Sequence, residues 1–259
     1  MRQNNRRHRI IIITGANNGI GLAMAESLLQ GGDFAAALDL FVNHLDPGNP
    51  NLLGCICDVR DPCQVKTTID EIIHHWGRLD ILINSACLAL YTGFEERLME
   101  DIRQEFEVNY YGYLNLISVV LPYMKKQGHG VIHNVSSAVG FTGMPGMIGY
   151  TSTKGAIEAM TRTLALEYAG KRIVFNVMHP PQTRTKSAAG YSVPPEMMAD
   201  PQIVGQKLAK LVGRTNSVLV PGFINGIQFL LSYHLRVQMG RLMSMMAERA
   251  RRSAEPDGE

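Results

Sequence analysis

The sequence predicts an α/β protein: a doubly wound, mostly parallel sheet of the Rossmann type, helices on both faces, in a single domain. Three observations predict it. Strand-like and helix-like stretches alternate from Ile10 to Pro221, the pattern of a parallel sheet joined by right-handed crossovers. The first strand-like stretch, Ile10-Ile11-Ile12-Ile13, has no polar alternation, as a strand buried on both faces requires. A glycine-rich turn, Thr14-Gly15-Ala16-Asn17-Asn18-Gly19-Ile20-Gly21, follows directly and opens a helix over Leu22 to Leu29.

That turn has a chemical use. Glycines let the backbone approach a pyrophosphate, and a helix N-terminus offers free N–H groups and a positive dipole end. Gly31-Gly32 closes the helix. Phe34 to Leu40 reads as the second strand, with Asp39 near its tip. A carboxylate there accepts hydrogen bonds from a ribose hydroxyl pair and repels a 2′-phosphate. No Arg or Lys lies in the glycine turn or directly after Asp39, so the charge argument favours NAD over NADP. A solvated loop acid is the alternative reading.

Leu52 to Val59 is the third strand, and Asp58 at its tip is placed for an adenine amino group or is simply a turn acid. Asp61-Pro62-Cys63-Gln64 reads as an N-cap, a proline at N1 and a capping-box glutamine. Val65, Ile69, Ile72 and Trp76 follow at helical spacing, closed by Gly77. Leu79 to Asn84 is the fourth strand, with Asn84-Ser85-Ala86 at its ligand-facing end. One long helix is predicted over about 100–127, containing Asn109. Gly130 to Ser136 is the fifth strand and delivers Ser137 at its tip; Arg172 to Met178 is the sixth, followed by His179-Pro180-Pro181. Residues 187–200, with Pro194-Pro195 and Met197-Met198, form a loop that is a lid or an idle surface. Val218 to Pro221 is the last strand.

Residues 223–252 form an amphipathic helical extension, with an apolar stripe of Met239, Leu242, Met243 and Met246 and with Arg236, Arg241, Arg249, Arg251 and Arg252 mostly off it. Core packing or a subunit interface is favoured; a membrane surface or an oily substrate entrance is the alternative. Residues 253–259 read as a disordered tail.

Composition excludes several classes. The formal charge of +2 over 259 residues implies no nucleic-acid surface. Cys55, Cys57, Cys63 and Cys87 form no CxxC pair and no His cluster joins them, so no metal site is expected. Cys55 and Cys57 are expected on opposite sides of one strand, as reduced thiols. The basic start is followed by too short an apolar run for a signal peptide, and no stretch approaches a membrane span. A cytoplasmic location is the default.

The reactive candidates are Ser137, Tyr150 and Lys154. On a helix, Tyr150 and Lys154 share one face. A free phenol has a pKa of roughly 10, and a nearby cation brings its proton within reach at neutral pH. Ile157, Met160, Leu164 and Tyr168 continue that helix as a core-packing stripe. Val139, Phe141, Met144, Met147 and the stretch near Met197 suggest an apolar substrate pocket.

Taken together, Thr14-Gly-x-x-x-Gly-x-Gly21, Asp58, Asn84-x-Ala86, Asn109, Ser137 and Tyr150-x-x-x-Lys154 resemble the short-chain dehydrogenase/reductase family over about residues 8–222. The thirteen-residue separation of Ser137 from Tyr150 also fits. The resemblance implies a hydride-transferring oxidoreductase interconverting an alcohol and a ketone or aldehyde. It implies Tyr150 as acid–base residue, Lys154 lowering its pKa and binding the nicotinamide ribose, Ser137 orienting the carbonyl, and Asn109 holding a relay water. It places the cofactor on Gly15, Asn17, Asn18, Gly19, Ile20, Gly21, Asp39, Asp58, Val59, Asn84, Ala86, Tyr150, Lys154, Pro180, Thr183 and Thr185. It also implies a homodimer or homotetramer. Three positions depart from the family pattern: Cys87 and Pro181 stand where glycine is usual, and His179 where a small residue is commoner. A catalytically inactive nucleotide-binding scaffold and a sugar-nucleotide epimerase are the competing readings; the GxxxGxG spacing and the lack of a large C-terminal substrate domain count against the epimerase.

Overall fold

Four consecutive isoleucines cannot hide on one side of a strand, and they do not. The structure, a computed structural model, describes residues 8–188 and 198–254. In it β1 (Ile10–Thr14) is buried along its whole length. Ile10 and Ile12 join one apolar cluster, while Ile11 and Ile13 join another on the opposite face, the period-two alternation of a strand.

Among the described residues the sheet has seven parallel strands in the order β3-β2-β1-β4-β5-β6-β7. The others are β2 (Phe34–Asp39), β3 (Leu52–Ile56), β4 (Ile81–Asn84), β5 (Gly130–Val135), β6 (Ile173–Met178) and β7 (Val218–Leu219). Helices α1 (Gly19–Gln30) and α7 (Pro201–Ala209) pack together over one face, with Met24, Leu28, Val204 and Leu208 in the core. Helices α2 (Pro62–Trp76), α4 (Gly112–Gln127) and α6 (Ile148–Glu167) cover the other, with Ile69, Leu116 and Ile157. The strand order reverses at β1, between β2 and β4, so a crevice opens beyond the C-terminal ends of these strands.

The predicted long helix is three pieces: α3 (Met99–Phe106), a π-helical segment at Glu107–Tyr111, and α4. Asn109 sits in the π segment, a backbone form that recurs at functional sites. The short helix α5 (Val139–Thr142) precedes α6. The C-terminal extension is also two pieces, α8 (Phe223–His234) and α9 (Arg236–Ala254). Helix α9 runs through Ser253 and Ala254, where a disordered tail is expected from the sequence; the rest of that expected tail, 255–259, lies outside the described residues.

Two local readings are corrected. Cys55 and Cys57 lie on the same side of the sheet, because residues two apart on a strand share a face. Both pack into one apolar cluster, and burial, with the neighbouring Cys57, pushes the Cys55 thiol up to about 12. The capping box is different too. Asp61 caps α2 by accepting from the Cys63 and Gln64 N–H groups. Gln64, however, accepts from Asp58 N–H at 3.1 Å, and Asp61 N–H donates to Asp58 O.

Candidate active site

The crevice is a cleft of about 970 Å³ running from the glycine turn to the C-terminal helices. Its floor is the turn between β1 and α1. Gly19 has φ +55°, a left-handed value that favours glycine. A Cβ on Gly21 would lie 2.1 Å from Gly15 O, so this crossing admits no side chain. Asn18 makes no side-chain cap bond, and the first turn of α1 carries no acidic residue. The positive end of that helix therefore opens into the cleft beside Asn18, Gly19, Ile20 and Gly21.

At one end stand Asp39, Asp58 and Val59. Asp39 accepts from Asn17 N–H at 2.9 Å and Leu40 N–H at 2.7 Å. Arg60, which the local sequence around Asp39 does not reveal, folds to the same rim. It pairs with Asp58 at 2.6 Å, and that pairing outweighs partial burial and holds the Asp58 carboxyl below its ordinary value.

At the other end Ser137, Tyr150 and Lys154 line the same wall. Lys154 is 2% exposed. Its ammonium donates to Val135 O at 2.9 Å and stands 5.4 Å from the centre of the Tyr150 ring. Burial lowers the Lys154 pKa from its ordinary value, opposed by Cys87 and Glu158. Helix α6 is fastened to the sheet beneath these groups. Asn84 Nδ2 donates to Asn134 Oδ1, Asn134 Nδ2 to Thr161 Oγ1, and Thr161 Oγ1 to Ile157 O, at 2.9, 2.9 and 2.7 Å.

The cleft gathers Gly15, Asn18, Gly19, Ile20, Gly21, Asp39, Asp58, Val59, Ala86, Ser137, Tyr150, Lys154, Pro180, Thr183 and Thr185. Asn17, Asn84 and Asn109 are not among its lining residues. Asn17 ties the glycine turn to the loop after β2, through Asn43 and His44. Asn84 is buried in the network above, with its Oδ1 unpartnered. Asn109 accepts from Leu88 N–H at 2.7 Å and donates to Leu88 O and Thr153 Oγ1, so both its amide hydrogens are engaged. Its side chain holds the strap after β4, whose Cys87, Leu88 and Ala89 cover the cleft.

The pocket expectation is partly corrected. Val139 lines the cleft, but Met144 and Met147 are core residues that pack with Tyr150. Phe141 packs on His179, Phe229 and Tyr233. Pro194, Pro195 and Met197, named for a lid and for the pocket, lie outside the described residues. The stripe Met239, Leu242, Met243 and Met246 faces the cleft rather than a core, with Asn225, Gln228, Phe229 and Ser232 of α8. Those last four carry no signal in the sequence, because the break between α8 and α9 that turns them toward the cleft has no local signature.

His179, one of the departures, is 3% exposed and lies 2.9 Å from Glu158 Oε1, though not aligned as a good hydrogen bond. Burial raises the Glu158 carboxyl, but His179, Ser136 and Arg162 outweigh it and hold the group below its ordinary value.

Known proteins resemble this chain in sequence and in fold. The profile of the short chain dehydrogenases matches residues 9–193. The chain belongs to that family. Short-chain dehydrogenases are NAD(P)-dependent oxidoreductases acting on CH–OH groups, and this chain shares that general chemistry. It is 34% identical over 179 residues to the 3-oxoacyl-[acyl-carrier-protein] reductase FabG of Thermotoga maritima, covering 66% of this chain and 73% of the relative. Among solved structures, the 3-ketoacyl-(acyl-carrier-protein) reductase of Brucella melitensis, complexed with NADH, superposes with a TM-score of 0.75 at 22% identity, covering 82% and 96% of the two chains. ElxO with NADP bound superposes at 0.74 with 25% identity, covering 83% and 97%.

Proposed function

We propose that this short-chain dehydrogenase interconverts an apolar alcohol and its ketone or aldehyde with NAD, using Tyr150 as acid–base residue. The carrying observation is that Tyr150, Lys154 and Ser137 share a wall of the cleft whose other end holds Asp39.

The residues fit a dinucleotide. The uncapped N-terminus of α1 suits a pyrophosphate, and Asp39 suits a ribose hydroxyl pair. The Arg60 cation on the same cleft is already matched by Asp58, which leaves the Asp39 carboxylate to disfavour a 2′-phosphate. Thr185, Pro180 and Lys154, which line that cleft, would hold a nicotinamide, and the group would supply or accept the hydride. In reduction the Tyr150 hydroxyl gives its proton to the carbonyl oxygen, and in oxidation it takes that proton back. The Lys154 ammonium favours the phenolate. The Ser137 hydroxyl donates to the same substrate oxygen and steadies its developing charge. Phe229, Met239, Leu242 and Met243 offer the rest of the substrate an apolar wall, and the 3-oxoacyl substrate named for the Thermotoga relative has such a character.

Tyr150→Phe tests the assignment. Turnover falls by about 10²–10⁴-fold, while NADH affinity, read by fluorescence titration, stays within about twofold of wild type. Turnover that survives the change overturns Tyr150 as the acid–base group. The second reading, a nucleotide-binding scaffold, rests on Pro181, which lacks an N–H in the loop beside the cleft. It takes over if the wild type binds NADH yet turns over nothing in a mixed ketone and alcohol library.

A further inference from the structure

Helix α8 is inside out. Phe223, Ile224, Ile227, Leu230 and Leu231 fall on one side of it at helical spacing. That side faces solvent: Phe223 is 83% exposed and Ile224 72%. Its polar residues Asn225, Gln228 and Ser232 point the other way, into the cleft. A helix held only by its own protein turns the apolar stripe inward. Leu235 and Val237, both exposed, carry the patch round the corner into α9.

Charge says what covers the patch. From Phe223 to the end of α9 there are five arginines and one carboxylate, Glu248. Arg236 is fixed at the corner, where its Nε donates to Tyr233 O and its guanidinium lies 4.9 Å from the Tyr233 ring centre. Arg241 is exposed and pairs with no carboxylate among the described residues. A second copy docked on this face brings the same excess of arginine over carboxylate and so adds like charge to it. An anionic lipid surface supplies the opposite charge and an apolar layer beneath it. Crossing the bilayer is not open to α8. Twelve residues of helix span ~18 Å against a hydrocarbon core of ~30 Å, and no described helix is long and apolar enough to cross.

We propose that α8 and its corner with α9 seat this chain on the surface of an anionic lipid bilayer. The apolar side of α8 lies among the lipids, Arg236 and Arg241 lie at the headgroups, and the cleft opens on the reverse side of the same helix. The inference does not depend on which reaction the cleft performs.

Flotation of the full chain with vesicles tests it, comparing phosphatidylcholine alone with phosphatidylcholine containing a minority of phosphatidylglycerol. The chain floats with the anionic vesicles, and added salt weakens the binding. Arg236→Gln and Arg241→Gln each weaken it by about fivefold. Ile227→Ser with Leu230→Ser weakens it by roughly tenfold or more, with an unchanged circular dichroism melt showing that the fold persists. Three results overturn the proposal. Wild type stays unbound at low salt, or the double serine variant binds like wild type. Alternatively, sedimentation shows a homodimer that the double serine change dissociates, which assigns the patch to a second copy.

Discussion

Under the proposed function, cofactor choice turns on one residue, Asp39. Its carboxylate does two things at once: it receives the Asn17 N–H, which steadies the glycine turn, and it faces the rim where a ribose is expected. Asp39→Ala removes the repulsion and leaves Arg60 at the same rim. The ratio of kcat/KM for NAD over NADP is expected to fall by roughly tenfold, equivalent to ~1.4 kcal/mol. Steady-state kinetics with both cofactors measure it, and a wild type that already prefers NADP removes the basis of the charge argument. At this scale the sequence was legible where one local rule governs a position, as with Tyr150 and Lys154 one helical turn apart. It was not legible for Arg60, whose relation to Asp39 exists only after β2 and β3 pair. Nor did the sequence show what His179 does, since its neighbour Glu158 belongs to a different element.

Elements were read best where each end carries its own chemical stop. Helix α2 begins at a capping aspartate with proline at N1 and ends on Gly77 with φ +75°. Asp61→Ala leaves two N–H groups uncapped and is expected to cost about 1 kcal/mol of stability, measured as a shift of the urea midpoint at unchanged slope. The sequence predicts one long helix there because a π segment has no propensity signature. It is set by the tertiary demand that Asn109 reach the backbone of Leu88. The strap thus held is held again by the buried Arg97–Glu105 pair, with Glu105 accepting from Leu90 N–H and Arg97 donating to Leu90 O. Neither tie follows from the spacing of these residues along the chain.

The molecule as a whole carries a built-in sensitivity to acid. His133 is fully buried on β5, with Nδ1 against Asn176 Oδ1 and Nε2 accepting from Gly213 N–H at 2.9 Å. The accepting nitrogen has no room for a second proton, and burial lowers the pKa to about 4 from an ordinary 6.5. An unfolded chain takes up this proton below about 6.5, the folded chain only below about 4. Acidification between those limits therefore favours unfolding, and roughly 3 kcal/mol present at neutral pH is lost across the window. Urea unfolding at pH 7 and near pH 4.5 shows the loss, and His133→Gln flattens the dependence. Glu158, held below its ordinary value, adds a loss in the same direction as pH falls through its folded-state pKa.

By itself the sequence determined the layered α/β architecture, since an unalternating isoleucine strand, a glycine turn and capped amphipathic helices each obey short-range rules. It also marked Ser137, Tyr150 and Lys154 as the candidate reactive residues. Only the tertiary structure decided which of them meet. It brought Arg60 and Asp39 to one cleft, engaged Asn84 and Asn109 in hydrogen bonds between segments, and laid the methionine stripe of α9 along the cleft. It also left the apolar side of α8 facing outward. The physical reason is range: helical and strand periodicity act over a few residues, whereas charge pairing and burial act between segments that only the folded sheet brings together.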